Sequence, residues 1–149
     1  MQKILITAAI ALVLCPAPSE AQDASGARTY LVKLSVPVST TASKAGDRIR
    51  AAIISPESLL NGYLEGVVSQ VSSKPASRLV LHFTSVLYKG KSTPIDGKVV
   101  DFVNSKGHKS VDDDERPITL DDGRFASARG DLSLDEGAEL RVQAAPAHK

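Results

Sequence analysis

A run of four apolar segments between residues 48 and 103 constrains the fold of this chain more than any other feature. The segments read RIRAAII, YLEGVVSQV, SRLVLHFTSVLY and STPIDGKVVDFV. Each has the length of a strand, and residues typical of turns (Gly, Pro, Ser, Lys and Asn) separate them. Alternation of apolar and polar residues within such short segments predicts consecutive antiparallel strands.

Shorter segments with the same character lie on both sides of this run. They cover residues 29–38, 118–125, 132–134 and 139–143. In the first, Val32, Leu34 and Val36 alternate with polar residues, and an Asp-Gly pair at 122–123 predicts a hairpin turn. The chain is therefore predicted to be all-β, a small antiparallel barrel or sandwich of about seven short strands. At most one helical turn is expected, with Ser55 as its cap and Pro56 just inside.

The alternation also predicts which side chains point inward. In residues 48–54, Ile49, Ala51 and Ile53 share one face, and Arg48 and Arg50 share the other. Residues 78–88 are apolar on both faces, which predicts a central strand. Its first face holds Leu79, Leu81, Phe83 and Leu87, and its second holds Val80, His82, Thr84, Val86 and Tyr88.

Two glycines inside predicted strands are candidates for close approach of a neighbour. Gly66 shares the inward face of its strand with Leu64 and Val68, and Gly97 shares that of its strand with Ile95 and Val99. A missing side chain at such a position indicates a bulge, a nearby backbone or space for a ligand. Pro94 is expected to mark the beginning of its strand, because proline cannot donate to a ladder.

The first 21 residues predict an exported protein. Lys3 precedes an apolar run at residues 4–15, and Ser19-Glu20-Ala21 resembles a signal peptidase site, so cleavage is expected after Ala21. The apolar run is too short for a membrane span, which needs about 20 residues. Cys15, the only cysteine, would leave with the signal. The expected organisation is a signal peptide at 1–21, a tail at 22–28, one β domain at 29–143 and a tail at 144–149. The expected location is periplasmic or extracellular, with no membrane span after cleavage.

Charge and aromatic content disfavour several kinds of partner. The formal net charge is +1 with both signs interspersed, which does not favour nucleic acid or an anionic membrane. Tryptophan is absent and aromatic residues make up 4% of the chain, so a site that stacks sugar rings or bases has few ring faces to use.

Catalytic and metal-binding patterns are weak. His82 shares a strand face with Thr84, and Asp96 or Asp101 is predicted on the next strand. These residues could form a Ser/His/Asp arrangement, but the sequence has no Gly-x-Ser-x-Gly motif. The acidic run at residues 112–115 lacks the spacing of a calcium loop, and a solvated loop facing Lys106 and Lys109 is preferred. His108 and His148 are too few for zinc. We therefore expect no enzymatic activity, no cofactor and no metal.

Basic side chains form the candidate ligand or partner surface. Arg48, Arg50, Arg78 and Lys98 are predicted to share the outer face of the sheet, with His82 among them. Such a face can bind an anionic glycan or a phospholipid head group, or it can serve only to keep the protein soluble.

Several motifs carry a resemblance to known proteins. They are the Lys44-Ala45-Gly46-Asp47 turn, the Leu64-Glu65-Gly66-Val67-Val68 strand, the leucine-rich strand at 78–84 and Thr93-Pro94-Ile95. The chain resembles uncharacterised secreted β domains of bacteria such as the Acidobacteria. It is more distantly similar to the C-terminal barrel of the outer-membrane channel subunit of type IV secretion systems. The resemblance implies a fold and carries no catalytic residue.

Two functional hypotheses follow from these patterns. The first is a non-enzymatic binding or envelope-assembly module whose partner, an envelope protein or a glycan, is recognised through a loop or by strand addition. The second is a carrier that holds a small apolar or sugar ligand in the mouth of a barrel, with Gly66, Gly97 and Ala51 leaving room.

Overall fold

The structure is a computed structural model that describes residues 27–104, 118–127 and 131–147. The predicted signal peptide, most of the predicted N-terminal tail, the acidic run at 112–115, His108 and His148 lie outside these residues. Within them the all-β prediction is confirmed. The strands are β1 (Arg28–Leu34), β2 (Val38–Ser39), β3 (Arg48–Ser55), β4 (Tyr63–Ser72), β5 (Ser77–Tyr88), β6 (Lys91–Val103), β7 (Thr119–Asp121), β8 (Arg124–Ser127), β9 (Ser133–Leu134) and β10 (Glu139–Pro146). A single 3₁₀ turn, Glu57–Leu59, follows β3.

Six of the strands close into a barrel. The order is β4-β3-β1-β10-β6-β5, and a further ladder between β5 and β4 completes the circle. All of these pairings are antiparallel. Each barrel strand therefore has a hydrogen-bonded neighbour on both sides, which decides for a barrel over a sandwich.

Four short strands bring the described total to ten, so the predicted count of about seven is too low. The β7–β8 hairpin pairs through β8 with the first four residues of β5, and β2 pairs with β9 in a separate two-stranded sheet. The predicted segments 29–38 and 118–125 each contain two strands, β1 with β2 and β7 with β8, which raises the count. The predicted hairpin turn is present, with positive φ at Asp122 and Gly123.

Apolar side chains fill the barrel. Phe83 and Phe125 are the largest of those with no exposed surface, and Phe125 packs edge-to-face on Phe102 with ring centroids 5.1 Å apart. The inward positions predicted for β3 and β4 are confirmed, and β5 is central because it pairs with β4, β6 and β8. The side chains that are fully buried with these two include Val32, Leu34, Leu64, Val68, Leu79, Leu81, Leu132, Leu134 and Leu140.

A bulge in β5 overturns part of its predicted alternation. The register shifts between Phe83 and Ser85, so the inward position after Phe83 passes to Val86, which is 7% exposed. Leu87, predicted to share the inner face, is only half-buried. Pro94 lies inside β6 opposite Ser85, not at the beginning of the strand. A bulge admits proline because the ladder is already interrupted there.

Three predicted boundaries are also wrong. The first strand ends at Leu34 and not at residue 38. The Ser35 N–H donates to the Arg50 carbonyl oxygen of β3, and after Ser35 the chain turns away from β3. Val36 is therefore 43% exposed. Ser55 does not cap a helix, since it is the last residue of β3 and pairs with Leu31. The predicted C-terminal tail is strand as far as Pro146, which pairs with Ile95.

Candidate functional site

The strand register gathers three of the predicted basic residues on the outer wall of the barrel. Arg48 on β3 pairs with Val67 on β4, Val67 with His82 on β5, and His82 with Lys98 on β6. Adjacent strands are about 4.8 Å apart, so this row extends roughly 14 Å from Arg48 to Lys98. Its members point outward because their neighbours in sequence, such as Ile49 and Phe83, point into the core.

Arg50 lies next to this row and Arg78 lies away from it. Arg50 pairs with Glu65 in the register two residues along β3 from Arg48. Arg78 is four residues along β5 from His82, or about 13 Å at the rise of a strand, and it pairs with Ser72 and Ala126. The structure thus brings Arg48, Arg50, His82 and Lys98 together and leaves Arg78 apart.

Carboxylates neutralise much of the charge that the sequence suggested for this surface. Arg50 forms an ion pair with Glu65, and its guanidinium lies 5.1 Å from the centre of the Tyr63 ring. His82 Nε2 lies 2.8 Å from Asp96 Oδ1. The described carboxylates include none within ion-pair distance of Arg48 or Arg78.

Lys98 and Asp122 form the one pair in the described residues for which a pKa shift is resolved. Lys98 Nζ donates to Asp122 Oδ1 at 2.7 Å. This hydrogen bond, helped by the Coulombic attraction, lowers the pKa of Asp122 and raises the pKa of Lys98. Both side chains are more than half exposed, at 53% and 80%, so the pair tethers the β7–β8 turn to the wall with little energy.

A groove of about 450 Å³ opens beside Arg48 on the same wall. Arg48, Arg50 and Glu65 provide its charges, Thr84 a hydroxyl, and Val36 and Val67 its aliphatic surface. The volume lies within the range of about 300–1,000 Å³ that is usual for ligand sites. We refer to this feature as the outer groove.

Two irregularities in the barrel wall produce the outer groove. Thr84 has no partner on β4, since Glu65 pairs with Ser85 and Gly66 pairs with Phe83. Its hydroxyl donates instead to the Glu65 carbonyl oxygen at 3.4 Å. Gly66 permits the close approach that the sequence predicted, because a Cβ there would lie 2.2 Å from the His82 carbonyl oxygen.

Three residues of the outer groove, Gly66, Arg48 and Arg50, are singled out by the sequence, and the others around them are not. The alternation puts Val36 in the first strand and Thr84 beside His82, and it assigns no role to Glu65. The strand-interior glycine was the signal available. Which face of the sheet a bulge widens depends on how both neighbouring strands pair with it. The sequence of one strand does not contain that pairing.

A second opening lies at the end of the barrel where β1 begins and β10 ends. This barrel mouth has a volume of about 180 Å³. Tyr30, Val86 and Ile95 line it from inside, all at most 9% exposed, and Arg28 and Lys91 stand on its rim. Further lining residues are Leu59, Tyr88 and Thr93.

His82 contacts a carboxylate, and the two hydroxyls described here contact backbone carbonyl oxygens. Asp96, one of the two aspartates considered, is the residue that contacts His82. The Thr84 hydroxyl donates to the Glu65 carbonyl oxygen, and the nearby Ser69 hydroxyl donates to the Val80 carbonyl oxygen. Both hydroxyls are therefore engaged with the backbone of neighbouring strands.

The described ranges contain no cluster of three or more residues able to hold a metal ion. No helix in this part of the chain is long and apolar enough to cross a membrane.

Comparison of the chain with protein-family models, curated proteins and solved structures found no match in any of the three. The outer groove and the barrel mouth are the two features of the described residues whose chemistry bears on function.

Proposed function

We propose that the chain is an exported, non-enzymatic binding or envelope-assembly module that recognises its partner through the outer groove. The observation that carries this proposal is the Arg48 guanidinium, which has no carboxylate partner among the described residues and lies beside exposed aliphatic surface. A cation of this kind can form a bidentate contact with an incoming carboxylate without first breaking an internal ion pair.

Recognition is expected to use side chains and not strand addition. Each of the six barrel strands is already paired on both sides, which removes the free edge that an added strand needs. β7 ends the sheet order, but it is only three residues long. The outer wall offers more area and more varied chemistry than that edge.

A protein partner fits the outer groove better than a glycan. Val36 and Val67 suit aliphatic side chains, and Arg48 suits an acidic one. Sugar sites usually present an open aromatic face, whereas the nearby Tyr63 ring is covered by the Arg50 guanidinium. The proposed partner is an envelope protein with a segment that carries both acidic and aliphatic side chains.

Export is part of the proposal because of the signal-peptide pattern at residues 1–21, and the resemblance to secreted bacterial β domains supports it. Nucleic acid is not proposed as a partner, since the net charge is +1 and two of the outer cations, Arg50 and Lys98, are paired with carboxylates. A catalytic role is not proposed because the hydroxyls near His82 are held by backbone groups.

Site-specific photo-crosslinking tests this proposal. A photoreactive residue at position 36 is expected to capture one envelope protein, and the same residue at position 100 is the control, since Val36 and Val100 are similarly exposed at 43% and 42%. Arg48→Glu is expected to abolish capture through charge repulsion. Arg78→Glu makes the same change of charge at an arginine outside the outer groove and is expected to leave capture intact.

Equal capture from positions 36 and 100, or equal loss in both arginine variants, would contradict recognition at the outer groove. Competition by an oligouronate, with no captured protein, would instead favour a glycan as the ligand. Retention of the precursor in the cytoplasm, with the signal segment uncleaved, would contradict export.

The carrier function remains a second candidate, and only the barrel mouth favours it. Gly66 and Gly97 leave no ligand space, since a Cβ at either position would meet neighbouring atoms within 3.1 Å. Ala51 is fully buried in the same core. A carried ligand would therefore have to be small enough for the barrel mouth.

A further inference from the structure

The barrel mouth combines an apolar floor with a cationic rim. Val86 and Ile95 form the floor with the ring of Tyr30, and Leu59 from the 3₁₀ turn closes one side. Arg28 and Lys91 stand at the opening. No carboxylate lines this cavity within the described residues, and none there forms an ion pair with either cation.

Tyr30 adds a polar group that has no partner among the described residues. The residue is only 4% exposed, yet its hydroxyl has no hydrogen bond to any described residue. No fully buried polar side-chain atom in the described ranges lacks a partner. The Tyr30 hydroxyl is therefore not fully enclosed, and Tyr30 lines the barrel mouth. A buried phenol usually finds a hydrogen-bond partner, and here a ligand can supply it.

The volume limits the size of that ligand. An apolar cavity of about 150 Å³ in another protein accommodates benzene, and the barrel mouth has about 180 Å³. Its apolar floor has room for one ring or a short branched chain.

We propose that the barrel mouth binds a small apolar carboxylate. The apolar body lies against Tyr30, Val86 and Ile95, and the carboxylate accepts hydrogen bonds at the rim from Arg28 and Lys91. The Tyr30 hydroxyl gives a further polar contact inside the opening. This site shares no lining residue with the outer groove. Ligand binding at the barrel mouth and partner recognition at the outer groove can therefore be tested independently.

Titration with benzoate, monitored by amide chemical shifts in the purified full-length chain, tests the proposal. Saturable shifts are expected at Tyr30, Val86 and Ile95, with none of comparable size at Arg48. Benzyl alcohol has the same ring without the charge and is expected to bind about tenfold more weakly, since a charge-assisted hydrogen bond is about twice as strong as a neutral one.

Variants on the rim separate the charge contribution from the fold. Arg28→Gln combined with Lys91→Gln is expected to weaken benzoate binding about tenfold and to leave benzyl alcohol unaffected. Lys33→Gln removes an exposed cation from the same strand as Arg28 but outside the cavity lining, so it is the matched control. Tyr30→Phe is expected to weaken binding about threefold, as for one neutral hydrogen bond.

Three results would overturn this inference. The first is benzoate shifts that do not saturate, and the second is shifts centred on the outer wall. The third is equal affinity for benzoate and benzyl alcohol that the double rim substitution does not change. None of these results depends on whether the outer groove recognises a protein. Failure at the barrel mouth would leave the crosslinking result at Val36 unaffected, and the converse also holds.

Discussion

The inner and outer faces of the barrel wall are made by the same strands but have opposite chemistry. On β5, Phe83 has no exposed surface, whereas the side chain of the preceding His82 is 42% exposed and contacts Asp96. The inside is a continuous apolar core, and the outside carries ion pairs with solvent-accessible partners. The comparison separates the part of the molecule that stabilises the fold from the part available for recognition.

This difference has a practical consequence for function. Exposed ion pairs contribute about 0–1 kcal/mol each, whereas removing a buried aromatic ring costs about 3–5 kcal/mol. Substitutions in the outer groove or on the rim of the barrel mouth are therefore expected to report on binding without unfolding the protein.

The largest effect is expected from Phe83→Ala. The ring is fully buried and its Cβ lies over Gly97, whose own missing side chain makes room for it. We expect the free energy of unfolding to fall by about 3–5 kcal/mol, measured by urea denaturation. Tyr63→Ala is the control, because Tyr63 is an aromatic residue on the outer face that is 36% exposed. If Tyr63→Ala destabilised the protein as much as Phe83→Ala, the proposed division between the faces would be wrong.

A smaller decrease in the free energy of unfolding is expected from Gly66→Ala. The added Cβ would lie 2.2 Å from the His82 carbonyl oxygen and 2.8 Å from the Phe83 Cα, both backbone atoms of β5. Overpacking of this kind costs about 1–3 kcal/mol, occasionally more. Gly97→Ala is the matched comparison, because its nearest contacts are side-chain atoms of Phe83 and Val142 at 3.1 Å. Denaturation midpoints should rank Gly66→Ala below Gly97→Ala, and the reverse order would show that the bulge yields more easily than the core.

Much of the inner face could be predicted from the sequence because burial leaves a strong pattern. The inward positions of β3 and β4 and the central place of β5 followed from alternation alone. The special nature of Gly66 was also evident, since a glycine inside a strand loses a packing side chain. The turns at Gly46 and at Asp122-Gly123 were predicted for the same conformational reason, and they have positive φ.

The outer groove could not be predicted because it depends on register and on a bulge. Alternation predicted Leu87 inside, and the bulge after Phe83 put Val86 there instead. A shift of one residue moves every later side chain to the other face. The pairing of Arg50 with Glu65 depends on two strands that the chain joins through the 3₁₀ turn. The barrel mouth depends on Tyr30 and Ile95, which are 65 residues apart in the sequence and meet only because β10 pairs with both of their strands.

On the outer face, the ion pair between Arg50 and Glu65 is expected to contribute weakly to stability. The two side chains are 51% and 36% exposed, so solvent screens their attraction. A double-mutant cycle with Arg50→Gln and Glu65→Gln is expected to give a coupling energy of about 0.2–1 kcal/mol, which should shrink in high salt. A coupling that is several times larger and insensitive to salt would mean that the outer groove holds part of the fold together.

The smallest effect is expected for Lys98 and Asp122, and it should appear only through its dependence on pH. The pKa of Asp122 is lowered from its ordinary 3.8, so its contribution to stability is present above that value and is lost as pH falls through the lowered pKa of the folded state. The pKa of Lys98 is raised from 10.5, so its contribution is present below that value and is lost as pH rises through the raised pKa. The melting temperature of Lys98→Gln should therefore lie slightly below that of the native chain by a constant amount between about pH 5 and about pH 9. The difference should vanish in strong acid as Asp122 becomes protonated. A difference that persisted after protonation of Asp122 would show that Lys98 stabilises the turn through its aliphatic stem, which lies 3.3 Å from the position a Gly123 Cβ would take.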